Sequence, residues 1–150
     1  MQKPNFLIIQ ADQVAAQWLP MYGNSVVKMP HLEALAEHGV IFENAYCNSP
    51  LCAPSRFSML SGFLPSKIAA YDNAAEFSSA IPCFTHYLRA LGYRTILSGK
   101  MHFVGPDGLH GFEERLTTDV YPSDYTWTPD WSHPERLLEW YHTMTSVVQA

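Results

Sequence analysis

Three groups of residues in this sequence could do chemistry. In Leu51-Cys52-Ala53-Pro54-Ser55-Arg56 a thiol is followed four residues later by a guanidinium. If that segment is helical, Arg56 stands one turn from Cys52, and its fixed fork of donors could hold negative charge developing beside a nucleophile. A helix starting near Ser55 would add free N–H groups and an anion-favouring field. Cys52 alone reads more plainly as a buried structural cysteine beside a proline turn, and Pro54, Ser55 and Arg56 in register change that balance. The second group is Ser98-Gly99-Lys100-Met101-His102, which offers two cationic donors suited to an anion, although Lys100 and His102 taken singly read as an exposed lysine and a loop histidine. The third is Asp12 with Gln13, either hard oxygen donors for a cation or a turn and helix-capping pair.

Elements that would position these groups can be read from periodicity. Residues 5–10, NFLIIQ, are nearly continuously apolar, as in a strand buried on both faces of a parallel sheet. Asp12 and Gln13 then fall beyond its C-terminal end, where open α/β sheets bind ligands. Pro30 opens a short helix carrying Leu32, Leu35 and Ala36, and Gly39 closes it. Val40 to Phe42 read as a second strand and Asn48-Ser49-Pro50 as a loop. A helix from about Ser55 to Gly62 follows, then one from Pro82 with Phe84, Tyr87, Leu88 and Leu91 on a stripe and Gly92 as its stop. Tyr93 to Leu97 read as a third strand, Gly99 to about Trp131 as long loops, and Pro134 onward as a last helix bearing Leu137, Tyr141, Met144 and Val148. The order implies α/β layers, but three strands make a small sheet and the chain stops inside an apolar helical pattern, so 1–150 reads as a domain cut short.

Composition excludes several function classes. With 150 residues, 47% hydrophobic and 15% charged, the chain can bury a core. A net charge of -5 without a Lys/Arg run argues against a nucleic-acid surface. No segment approaches the ~20 apolar residues that cross a bilayer, and Phe6 to Ile9 is too short for a signal-peptide core, so a cytoplasmic location is expected. Cys47, Cys52 and Cys83 make neither an even disulfide set nor a CxxC zinc pattern. No pair of histidines has the spacing of a zinc helix, and His31, His38, His86, His110 and His133 read as structural or surface residues.

The Cys-x-Pro-Ser-Arg run with Ser61 and Gly62 downstream resembles the signature of type I, formylglycine-dependent sulfatases of the alkaline phosphatase superfamily. The resemblance implies an alkaline-phosphatase-like α/β/α sandwich with a mainly parallel sheet, of which this chain would be a truncated N-terminal part. It implies that Cys52 is oxidised to formylglycine by a separate maturation enzyme. The hydrated aldehyde would attack sulfur and later expel sulfate by collapsing, a turnover step that a thiol would make difficult. Gly99-Lys100-Met101-His102 resembles the family element in which the lysine and histidine contact the sulfate and the leaving group, so Cys52, Arg56, Lys100 and His102 would be catalytic, with His102 the visible proton donor. Asp12 matches the first metal ligand, and Gln13 stands where a second Asp is commoner. A divalent ion, Ca²⁺ before Mg²⁺ or Mn²⁺, would be held by Asp12, Gln13 and the group derived from Cys52, with further oxygens supplied from elsewhere, because Ca²⁺ takes about six to eight.

Tyr71-Asp72-Asn73-Ala74-Ala75-Glu76, Gly99 to Thr118 and Tyr121 to Pro129 look like the choline sulfatase branch of the family. That likeness implies hydrolysis of choline-O-sulfate, a full-length homo-oligomer, and a substrate pocket containing Asn73, Trp127 and His142. Trp127 could hold a trimethylammonium by cation–π attraction, and Asn73 and His142 could donate to sulfate. Read without the family, the three are a rim aromatic, a turn residue and a helix-surface histidine. The alternatives are a phosphonate monoester or phosphodiester hydrolase on the same fold, or a non-catalytic fragment.

Overall fold

The computed structural model describes residues 3–117 and 119, and the chain divides into two compact units, Met1–Tyr46 and Cys47–Ala150. In the first unit the apolar run forms no strand: Phe6, Leu7, Ile8 and Ile9 are 61 to 85% exposed, and Val40 to Phe42 likewise stay outside any sheet. Apolar content raises strand propensity, but a strand exists only where a neighbouring chain takes its N–H and C=O groups. Two 3-10 turns, Ala16–Trp18 and Pro20–Tyr22, end at Gly23. Asn24 fixes the next bend, its Oδ1 accepting the Val26 and Val27 amides at 3.0 and 2.9 Å. Helix α1, Pro30–His38, forms where the sequence predicts it, with proline at its first position, Glu33 in the first turn and Gly39 directly after.

The second unit holds the core. Helix α2, Cys52–Ser61, starts three residues earlier than expected, so that Cys52 is its first residue. Pro54 is tolerated because the first turn has no intrahelical partner for its missing N–H. The Ser55 amide already bonds the Leu51 carbonyl at 3.0 Å, and Gly62, at φ 73, ends the helix with its N–H on the Ser58 carbonyl. Ala53, Phe57 and Leu60 are buried on one stripe, and Arg56 shares it. The Phe57 and Phe77 rings stack at 4.4 Å, and Phe103 lies 6.3 Å from each. Ile68, Ala70, Cys83, Leu97 and Met101 complete this cluster.

Helix α3 runs from Phe84 to Ala90, two residues after Pro82, because Cys83 serves as its N-cap and its N–H donates to His86 Nδ1 at 3.0 Å. Its expected stripe is only partly covered: Phe84 and Leu88 are half-buried, whereas Tyr87 and Leu91 are exposed. The expected strand at 93–97 contracts to β1, Ile96–Leu97. It pairs in parallel with β2, Glu114–Arg115, which sequence periodicity did not reveal. A two-residue strand carries no detectable alternation, so only its partner identifies it. No helix among the described residues is long and apolar enough to cross a membrane. The helix expected from Pro134, together with Trp127 and His142, lies outside the described residues.

Candidate active site

Residues distant in sequence converge at the start of α2. Lys100, in the loop after β1, donates from Nζ to Cys52 Sγ at 3.3 Å. Arg56, only 4% exposed, points its guanidinium beneath that loop and donates from Nη1 to the Lys100 carbonyl at 2.7 Å. The arginine therefore supports the backbone that carries the lysine, a role its spacing from Cys52 did not suggest. The Lys100 ammonium beside the Cys52 side chain makes the surroundings favourable to negative charge on whatever that side chain carries, and Arg56 brings a second positive charge to the loop that holds the lysine.

Asn73 reaches the same helix end. The Ala53 amide donates to Asn73 Oδ1 at 3.0 Å, which identifies that atom as the oxygen and leaves the amide nitrogen as the group able to donate. The free amides expected near Ser55 are accounted for differently. Ala53 gives its N–H to Asn73, Pro54 has none, and Ser55 bonds Leu51. The field of the helix end remains, but those donors are committed to the fold.

His102 is 3% exposed and adopts a left-handed backbone conformation at φ 60. Burial lowers its pKa below the ordinary histidine value, as do the Lys100 and Arg56 charges, against the opposing pull of Asp119 and a hydrogen bond to the Asn73 backbone. A neutral imidazole at pH 7 is the result, suited to hydrogen bonding before it is suited to surrendering a proton.

Asp119 was not singled out in the sequence, yet it organises this loop. Its Oδ2 accepts the Met101 and His102 amides at 3.2 and 2.9 Å and the Arg115 Nη2 at 2.7 Å. Arg115 also donates to the carbonyls of Gly108 and Thr117, at 3.0 and 3.1 Å. An aspartate in an aperiodic stretch carries no local signal, and only the fold reveals its partners.

The other two cysteines differ from Cys52. Cys83 is fully buried, and burial together with the Asp107 charge pushes its thiol up to about 11, so it stays protonated and inert. Cys47 is exposed and free.

The profile of the sulfatase family matches residues 4–143. The chain belongs to the sulfatase family. It is 55% identical over 149 residues to the choline-sulfatase of Rhizobium meliloti, a match covering 99% of this chain and 29% of that protein. A solved structure of a 2-O GAG sulfatase overlays with a TM-score of 0.67 at 31% identity, over 79% of this chain and 26% of that one. A second, a complex with its substrate D-glucosamine-2-N,6-O-disulfate, gives 0.62 at 29% identity over 66% of this chain and 20% of that one. This sulfatase chain thus spans less than a third of the length of the relatives it matches, and its parallel strand pair with flanking helices is a piece of their alkaline-phosphatase-like α/β fold.

Sulfatases generally use a divalent metal, and Asp12 and Gln13 of this one can be tested against that need. They present a carboxylate and an amide oxygen on consecutive exposed residues, with Gln13 at φ 56. Hard oxygens suit a hard divalent cation, and two of them fit part of such a shell. Among the described residues, no group of three or more His, Cys, Asp or Glu side chains is gathered for a metal.

Proposed function

We propose that the protein containing this chain hydrolyses sulfuric esters at a nucleophile generated from Cys52, and that choline-O-sulfate is its substrate. The observation that carries the reaction class is the approach of Lys100 Nζ to Cys52 Sγ at 3.3 Å, with buried Arg56 fixing the lysine's backbone. Lys100 meets the negative charge of the transferring sulfate, and Arg56 adds a second cation that cannot swing away because its fork is engaged and buried. Asn73, with its oxygen held by Ala53, offers its amide hydrogens to a sulfate oxygen. His102, neutral at pH 7, donates a hydrogen bond toward the leaving oxygen.

Formylglycine at position 52, made by a separate maturation enzyme, would supply a hydrated-aldehyde nucleophile that releases sulfate by collapsing to the aldehyde, where a thiol would leave a stable thiosulfate-type ester. Asp12 and Gln13 would supply oxygen ligands to a divalent cation, Ca²⁺ by preference, whose chemistry would be to polarise sulfate oxygens. The choice of choline-O-sulfate rests on the 55% identity to a choline-sulfatase, and Trp127 and His142 belong to this proposal as substrate contacts. The same proposal places the protein in the cytoplasm as a homo-oligomer.

The test is hydrolysis of choline-O-sulfate, an aryl sulfate and a phosphonate monoester by the full-length protein, with Cys52→Ala as control. Sulfate release that prefers the choline ester and disappears in Cys52→Ala is the expected result. Preference for the phosphonate overturns the substrate, and activity surviving in Cys52→Ala overturns the nucleophile.

A further inference from the structure

We infer that Asp119 is a positioning residue for Lys100 and His102, setting the loop that carries both by accepting two consecutive backbone amides at one carboxylate oxygen. The inference rests on the sulfatase reading given above. The chain leaving β2 runs beside the chain leaving β1 and continues the pairing through side chains. The Leu116 amide bonds the Leu97 carbonyl at 2.8 Å, the Gly99 amide bonds Thr117 Oγ1 at 2.6 Å, and the Met101 and His102 amides bond Asp119 Oδ2. Lys100 lies between these anchors, and its carbonyl is held from the other side by Arg56.

This arrangement is needed because the loop is not in a relaxed conformation. His102 at φ 60 adopts a left-handed backbone that side-chain-bearing residues hold only when their surroundings enforce it. Two amides pointing in nearly one direction are what a carboxylate satisfies and an extended chain would not present. Asp119 is itself fixed. Its side chain is 8% exposed, and Arg115 grips the same oxygen while binding two further carbonyls. Its charge also faces His102, along with Lys100 and Arg56, so Asp119 acts on the imidazole both through the backbone and through space.

The experiment compares wild type, Asp119→Asn and Asp119→Ala in the full-length protein, measuring kcat/KM for a sulfate ester across pH together with the melting temperature. Misplacing the two donors should lower kcat/KM about tenfold to a hundredfold. Removing the negative charge should let the His102 pKa fall further, so the limb of the profile that disappears in His102→Gln should move to lower pH. A rate within about twofold of wild type, or a slower enzyme whose limb has not moved, overturns the proposal. Should both variants fail to fold, hydrogen exchange on the wild type decides the matter. Protected Met101 and His102 amides are expected, and exchange at the rate of an open loop overturns it. A wild type that hydrolyses no sulfate ester would instead sink the sulfatase reading, and the exchange result would still report on the clamp.

Discussion

At the residue scale, Arg56 is the clearest case of a side chain whose type matters more than its charge. It is buried on the apolar stripe of α2, and its reach to the Lys100 carbonyl uses one arm of a planar fork. Arg56→Lys keeps the charge but replaces the fork with a single ammonium, leaving part of the site unfilled. Lost hydrogen bonds to a charged group are worth about 1.5–3 kcal/mol, so a fall in kcat/KM of about tenfold or more and a lower melting temperature are expected. Unchanged kinetics would show that the fork is dispensable. His110 gives a second prediction. It is fully buried, 4.5 Å from both the Phe77 and Phe103 rings, with Nδ1 3.6 Å from Asp107. Burial lowers its pKa, as it does for His102. The unfolded chain, with histidines near 6.5, therefore binds protons that the folded chain refuses, and stability falls as pH drops through and below about 6.5. Urea midpoints should decrease between about pH 7.5 and about pH 5.5, and by less in His110→Phe; an equal decrease would remove His110 from the cause.

At the element scale, α3 is seated on a glycine. A Cβ at Gly111 would lie 2.5 Å from Thr85 Oγ1 and 2.9 Å from the His86 backbone nitrogen, and Gly111 has φ +87. Both space and backbone conformation therefore demand glycine. Gly111→Ala should cost about 2 kcal/mol or more, read as a lower melting temperature, because the first turn of α3 must retreat from the loop that Thr85 binds through the His110 carbonyl. A melting temperature equal to wild type would mean that this contact yields at no cost. The helices were largely legible in sequence: Pro30 and Gly39 bracket α1, Gly62 closes α2, and Gly92 follows α3. Strands were less legible, because β1 and β2 are two residues each and exist only through each other.

At the scale of the whole molecule, a strongly apolar segment stands in the open. Leu7 and Ile9 are 85 and 79% exposed. Their side chains contribute little to the fold of this 150-residue chain and offer adhesive surface to other molecules. The double substitution Leu7→Ser/Ile9→Ser should raise the solubility of the chain and leave its melting temperature within a few degrees; a large fall would show that the segment is buried in solution. The relatives it matches are more than three times its length, and the family match includes this apolar run.

The sequence by itself determined the family. Cys52, Pro54, Ser55 and Arg56 in register, and Lys100 with His102 two residues later, are local patterns, because one helical turn and one loop dictate them. Helix boundaries marked by proline and glycine are local in the same way. Tertiary structure alone decided that Lys100 meets Cys52 across 48 positions, that Arg56 holds a carbonyl, that Asn73 ties down the Ala53 amide, and that Asp119 clamps the loop of His102. Those contacts join residues far apart in the chain, and such pairings depend on how the core around Phe57, Phe77 and Phe103 brings the loops together, which no spacing along the sequence encodes.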